Sequence, residues 1–377
     1  MRTLSCAVAL CGLLAGLALV TLHMSGELLG AKEIARRQLS GGGIYGTAIN
    51  QNTYQYKLAL LAEARPKVLV IGSSRVMQFR ARYFDSRFIN LGGTTNSAYE
   101  LEPAVIEILN RQRPEVAILG VDFWWFNKRV ESATTFPHQA VSGDELDWNK
   151  LFEPYRLMRS GRMKLAHLKD VFSNSSDMLG LQARVFGDGF GADGSYYYTS
   201  ILSGRKPNLD KNFSLMIERI RNDDSVFKKF GGFDDVAFNA FVAGVRRLKL
   251  SEVKVITFLP PISPQTLEAL RGRDNDLRYL SALSDELSAI SHHQFNLTDA
   301  GTLASSNCEF VDGIHGGEVT YARIAGYLAR HTANLIAADV DAIAQSIRLR
   351  SGYASVPNEQ FLLYDEVDSL GLGCERA

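Results

Sequence analysis

Two short stretches of this chain hold residue types that can do chemistry together. Gly72-Ser73-Ser74-Arg75 follows the apolar run Lys67-Val68-Leu69-Val70-Ile71, and Asp312-Gly313-Ile314-His315 lies near the other end of the chain. A serine hydroxyl attacks a carbonyl well only when a base takes its proton. Histidine is suited to that task near neutral pH, and a carboxylate on its second ring nitrogen orients the ring and stabilises the imidazolium. With Ser74 as nucleophile, His315 as base and Asp312 as orienting acid, the chemistry predicted is acyl transfer. Each stretch also has a plainer reading. One serine caps a helix in an ordinary strand-to-helix turn, and the Asp-Gly segment with a nearby histidine is a surface loop. The first stretch is not the Gly-x-Ser-x-Gly elbow of another hydrolase class.

Acyl transfer also needs donors for the oxyanion that develops on the carbonyl. The run Asn90-Leu91-Gly92-Gly93-Thr94-Thr95 ends a second apolar stretch, and the amides near Gly92 and Gly93 are candidate donors beside that of Ser74. Gly120-Val121-Asp122 ends a third stretch and brings a polar side chain to the same region. The plainer reading makes both of these strand-to-helix turns, with Asp122 a helix cap. Arg75, Trp124 and Trp125 are read as substrate-binding residues. The two tryptophans either line a sugar groove, because aromatic faces pack on apolar sugar faces, or belong to the core.

These residues must be positioned by an alternation of strands and helices. Five apolar runs read as strands: Lys67–Ile71, Arg87–Leu91, Glu115–Val121, Val253–Leu259 and His293–Leu297. Most are continuous runs, as parallel strands covered on both faces require. Between them, Tyr99 to Leu109, Val236 to Val245, Leu280 to Ile290 and Val319 to Leu328 carry helical spacing. This alternation of strands and helices predicts a doubly wound parallel α/β sheet. Its sites belong at the carboxyl edge of the sheet, where the four strand ends and the His315 loop converge.

The domain organisation predicted is an anchor or signal over 1–25, a stalk over 26–65, a catalytic domain over 66–335, and a helix and tail over 336–377. The connection from Trp124 to Phe233 is too long for a simple crossover and reads as an insert forming a cap or substrate groove. It contains Phe136-Pro137, helical stretches near Leu151–Leu168, and a Gly189-Phe190-Gly191-Ala192-Asp193-Gly194 run before Tyr196-Tyr197-Tyr198. That run matches a dinucleotide fingerprint only literally, since an aromatic stretch and no helix follows it.

Charge narrows the partners. Lys and Arg number 41, as do Asp and Glu, and no basic face stands out, so no nucleic-acid partner is implied. No spacing resembles a metal site, and no cofactor is implied. Thr3 to Leu22 carries no charged residue, and about 20 apolar residues suffice to span a bilayer as one helix. The segment reads as an uncleaved anchor, a cleaved signal or a buried helix; the sequence after Leu22 is a poor cleavage site. Arg2 argues for an N-terminus held inside, whereas Lys32, Arg36 and Arg37 argue the reverse. Cys308 and Cys374 are either one disulfide, if the body lies outside the cytoplasm, or two unrelated thiols.

The ordered set Gly72-Ser73-Ser74, Gly92-Gly93, Gly120-Val121-Asp122 and Asp312-Gly313-Ile314-His315, followed by Tyr321 and Ile324, resembles the SGNH (GDSL-like) hydrolase superfamily over about Lys67 to Leu328. The resemblance implies a three-layer α/β/α domain with a flavodoxin-like parallel sheet in the order 2-1-3-4-5, a serine esterase or acyltransferase activity, and Ser74, His315 and Asp312 as the catalytic triad. It places Ser73 where the first block has Asp, and Asp122 where the third block has an oxyanion-hole Asn. An ionised Asp cannot donate a hydrogen bond. The Gly-Ser-Ser start, the N-terminal apolar segment and Leu259-Pro260-Pro261 are similar to a membrane-anchored branch that includes alginate O-acetyltransferase-like and teichoic-acid D-alanylation proteins. That likeness implies a single-pass protein of the inner membrane with its body in the periplasm, a polysaccharide acceptor and a polytopic membrane acyltransferase as partner. A small-ester or lipid esterase and a non-catalytic assembly protein are the alternatives.

Overall fold

The computed structural model describes residues 2–50, 53–130, 147–172, 177–273, 278–332, 335–356 and 365–374, and Phe136-Pro137 lies outside them. The chain divides into two compact units. The smaller comprises Met1–Glu63, His138–Ala192 and Tyr196–Thr199; the larger comprises Ala64–Pro137, Asp193–Ser195 and Ser200–Ala377.

The larger unit is a mixed α/β structure on a parallel five-stranded sheet. Its strands are β1 (Val68–Gly72), β2 (Phe88–Gly92), β3 (Val116–Gly120), β4 (Lys254–Leu259) and β5 (His293–Asn296), each within a residue or two of its predicted position. They lie in the order β2-β1-β3-β4-β5, all neighbours parallel. The registers align the strand ends: Gly72 pairs with Gly92, and Gly120 with Phe258. Val68, Val70, Ile118 and Ile256 cluster with Tyr321, Ile324 and Leu328 of the Glu318–His331 helix and Ile343 of the Val340–Arg350 helix. The alternate residues Leu69, Ala117 and Val255 are buried as deeply, as strands covered on both faces must be. The Asp235–Leu250 helix packs on the Leu101–Leu109 helix, and a Cβ on Gly244 would stand 2.7 Å from Leu101. Strand β5, which reads His-Gln-Phe-Asn, is only partly buried and closes the sheet with a polar edge.

A disulfide joins Cys308 to Cys374, with the two Cα atoms 5.9 Å apart. It ties the tail to the domain, and Leu370 beside it packs with Phe213, Ala300 and Phe310.

The smaller unit corrects the stalk expected over 26–65. The Ala31–Gly41 and Thr53–Ala64 helices carry buried faces, and Ile44–Tyr45 is a strand in a four-stranded sheet with Met178–Leu179, Gly189–Phe190 and Tyr196–Tyr197. The early residues are thus folded with half of the insert. The Gly-rich run forms an antiparallel pair, Gly189 against Tyr197 and Phe190 against Tyr196, so its glycines serve close backbone approach. A Cβ on Gly189 would collide with the Tyr45 carbonyl carbon at 2.6 Å. The Arg2–Ser25 helix is apolar and long enough to cross a membrane. Its carboxyl end enters a core of Leu22, Ile49, Leu157, Met163, Val171, Leu181, Val185 and Phe186.

Candidate active site

Strand β1 delivers the Ser73-Ser74 pair at the carboxyl edge of the sheet, where the chain turns into a short 3-10 helix, Ser74–Val76. The two serines divide the two readings between them. Ser73 Oγ accepts from the Arg75 amide and caps the turn, while Ser74 Oγ lies 2.9 Å from His315 Nε2. His315 Nδ1 lies 2.9 Å and 2.8 Å from the two Asp312 carboxylate oxygens. Ser74, distant in sequence from the other two, thus forms one continuous hydrogen-bonded chain with His315 and Asp312.

The loop carrying the last two is held from every side. Asp312 Oδ1 accepts the amides of Ile314 (2.9 Å) and His315 (2.8 Å), and the Val311 amide donates to the His315 carbonyl at 2.8 Å. Two residues of the insert complete the clamp. Asn208 Nδ2 donates to the Val311 carbonyl at 2.8 Å, and Asp210 Oδ2 accepts the Gly313 amide at 2.8 Å. From beyond β4, the Ser263 amide donates to the Gly313 carbonyl at 3.0 Å. A Cβ at 313 would meet Thr266 Oγ1 at 2.5 Å and Met216 Cγ at 2.8 Å, so any larger residue must displace these side chains. Asn208 and Asp210 were not singled out from the sequence. Their one local signal is Asp210's amide donating to Asn208 Oδ1, an Asx turn.

The electrostatics suit a base held by an acid. Burial alone lowers the His315 pKa, but the charge and hydrogen bonds of Asp312 outweigh it and raise the pKa above its ordinary value. Burial alone raises the Asp312 pKa, but His315 and the two loop amides outweigh it and hold the carboxyl below its ordinary value.

Other expected site residues take different parts. Arg75, expected to bind substrate, is 1% exposed. Its Nε donates to the Ile314 carbonyl (3.0 Å), Nη1 to Asp122 Oδ1 (3.2 Å), and Nη2 to the Pro260 and Pro261 carbonyls (2.8 Å each). One guanidinium thereby joins the serine turn, the ends of β3 and β4, and the histidine loop. Asp122, expected at the oxyanion hole, is wholly buried as the partner of Arg75. Burial pushes its pKa up against the pull of Arg75. It neither caps a helix nor reaches open space.

The Gly92 and Gly93 amides, the other expected oxyanion donors, are already engaged. Gly92 donates to Asn90 Oδ1 at 2.7 Å and Gly93 to the Gly72 carbonyl at 2.8 Å. Gly93 adopts a φ of +84°, which a β-carbon disfavours. The Ser74 amide opens a helical turn, where amides are left without helical partners. Trp125 is core, 2% exposed and packed near Phe241, not a binding residue. Trp124 is half-buried and stands edge-on to Phe123. With Phe227, Phe230, Ile262, Leu270 and Tyr279, these two line a narrow apolar crevice. The Arg75 guanidinium lies 5.5 Å from the Trp124 ring. The chain matches no protein-family model and no curated protein.

Proposed function

We propose that this protein is a serine-dependent acyltransferase or esterase of the SGNH type, with a three-layer α/β/α catalytic domain. The observation that carries the proposal is the hydrogen-bonded series Ser74 Oγ, His315 Nε2, His315 Nδ1 and Asp312, built on the carboxyl edge of a parallel sheet in the order 2-1-3-4-5. In the first half-reaction, Ser74 Oγ attacks the carbonyl carbon of an acyl donor and His315 Nε2 takes its proton. The imidazolium then returns that proton to the leaving group as the tetrahedral centre collapses to an acyl-serine. In the second half-reaction, His315 takes the proton of an acceptor hydroxyl as it attacks the acyl-serine carbonyl, and returns that proton to Ser74 Oγ as the ester bond to the serine breaks. A sugar hydroxyl as acceptor makes the protein an O-acyltransferase; water makes it an esterase. The half-buried Trp124 supports a sugar or an acyl chain near the site.

The apolar Arg2–Ser25 helix supports a membrane-anchored protein, and the Cys308–Cys374 disulfide supports a body in an oxidising compartment outside the cytoplasm. An exported polysaccharide as acceptor and a membrane acyltransferase as donor partner fit that setting. A second reading is a non-catalytic assembly protein on the same fold. It is favoured by the engaged amides of Gly92 and Gly93 and by the buried Asp122, which leave the oxyanion side thin.

The test uses the full chain in detergent, beside Ser74→Ala and His315→Ala, with a serine-reactive fluorophosphonate and an activated acetyl ester. The expected outcome is labelling and turnover in the wild type, lost from both variants. Oligosaccharide acceptors then separate transfer from hydrolysis. Equal background signal in all three proteins rejects catalysis and leaves the assembly reading.

A further inference from the structure

The Arg2–Ser25 helix does not end as a free tether. Tyr155, on the Glu153–Arg159 helix, donates its hydroxyl to the Leu14 carbonyl at 2.9 Å. Leu14 lies about 16 Å before the helix's carboxyl end at 1.5 Å per residue, which is about half the hydrocarbon thickness of a bilayer. The Glu153–Arg159 and Leu165–Phe172 helices both pack along the apolar helix. Leu157 and Val171 of these helices, with Met163 between them, fill the core around Leu22. Their outer side is unlike a water-facing surface. Trp148 is 59% exposed, Phe152 44%, Leu165 73% and Phe172 45%, beside an apolar helix that exposes Leu13, Leu17 and Val20.

The charge of this segment has one dominant sign. Residues 147–172 hold six basic side chains (Lys150, Arg156, Arg159, Arg162, Lys164, Lys169) and three acidic ones. Five of the six bases are exposed. Exposed Trp, Phe and Leu with Lys and Arg around them are the composition of helices that lie in a membrane interface, and such bases are attracted to anionic headgroups.

We propose that residues 147–172 form a second membrane contact. The helical pair lies in the leaflet at the carboxyl end of the Arg2–Ser25 helix, from the headgroup–acyl boundary inward toward the level of Leu14, which the Tyr155 hydroxyl reaches. Trp148, Phe152, Leu165 and Phe172 insert among the acyl chains, while Arg156, Arg159, Arg162, Lys164 and Lys169 meet anionic headgroups. The proposal rests on the reading of the Arg2–Ser25 helix as a membrane span. It commits these exposed apolar residues to lipid because the two helices pack against the span, whose own Leu13, Leu17 and Val20 are exposed.

The test reconstitutes the full chain in vesicles of phosphatidylcholine, with and without phosphatidylglycerol, made with or without lipid brominated near the top of the acyl chain. The chain has three tryptophans, so the Trp148 component is the emission of the wild type minus that of Trp148→Ser. The expected result is flotation with the vesicles and loss of most of the Trp148 component in brominated lipid. A triple Arg159→Gln, Arg162→Gln, Lys164→Gln variant is expected to bring the loss in anionic vesicles down to that in neutral ones. A chain that floats while its Trp148 component is untouched by bromine overturns the second contact and leaves the span intact. Crosslinking through this side would then show a second copy covering it. A chain that does not float overturns both.

Discussion

At the scale of single residues, His315 sits between opposing influences. Asp312 raises its pKa, while burial and Arg75 lower it. In the proposed mechanism His315 is a base only when neutral, so its raised pKa would move the rising limb of kcat/KM to higher pH. The expected profile for ester turnover rises with pH through a midpoint above the ordinary imidazole value. Asp312→Asn removes the raising influence and leaves the burial. Its midpoint is therefore expected below that of the wild type, with the plateau reduced by about two to four orders of magnitude. A pH–rate series on both proteins checks this, and an unmoved midpoint rejects His315 as the titrating base. Arg75 acts through others, as a positioning residue. Arg75→Lys keeps the charge but cannot reach Ile314, Asp122, Pro260 and Pro261 together. It is expected to lower kcat by about tenfold or more, through misplacement of the histidine loop, with KM and the pH midpoint little changed. Arg75→Met also removes the positive charge and is expected to move the midpoint upward. Equal midpoints in the Lys and Met variants would count against the charge argument.

At the scale of elements, the carboxyl end of the Arg2–Ser25 helix belongs to the fold of the smaller unit. Leu22 is fully buried, and the Ser25 carbonyl accepts the Gly180 amide at 2.6 Å. Just beyond, the buried Glu27 carboxylate accepts from Thr47 Oγ1 (2.8 Å) and from the amides of Ala48 (2.7 Å), Ile49 (3.2 Å) and Leu181 (2.7 Å). Cleavage after Ser25 would strip Leu22 from its core. The helix is therefore expected to remain on the mature chain, which intact-mass measurement of the membrane-extracted protein checks. Leu22→Ala is expected to destabilise the smaller unit by about 2–5 kcal/mol, read as earlier proteolysis within residues 147–172 while ester turnover persists. The His315 loop shows the same principle in the larger unit. Asp210→Ala strands the Gly313 amide in the interior, at a cost of about 1–3 kcal/mol. It is expected to reduce kcat more than KM, since the loop carries the base rather than a substrate contact.

At the scale of the whole molecule, the covalent tie is the simplest lever. Cys308 and Cys374 are 66 residues apart, and closing a loop of that length restricts the unfolded chain by about 4 kcal/mol in the chain-entropy account. Cys374→Ser is expected to lower the denaturant midpoint of the larger unit by an amount equivalent to about 2–4 kcal/mol. The same shift should follow reduction of the wild type, and no shift in either would remove the disulfide as a stabilising element.

Much of this protein was legible in one dimension. Four buried strands are continuous apolar runs, the partly buried β5 is not, and the helices between them carry their own period, so a parallel sheet follows from local pattern. The serine and the Asp-x-x-His segment were legible because each sits at a strand end or in a loop at the same edge. Tertiary structure alone decided what each polar group is paired with. Nothing local to Arg75 says that its guanidinium turns inward to Asp122, and nothing local to Gly92 or Gly93 says that their amides are already bonded. Trp124 and Trp125 are adjacent and chemically alike, yet only one is core. Asn208 and Asp210 reach Val311 and Gly313 across 103 residues, and residues 31–50 and 53–63 fold with part of the insert instead of forming a stalk. Periodicity records which face of an element is apolar. Pairing across long separations depends on which loops meet, and that is settled only when the chain closes on itself.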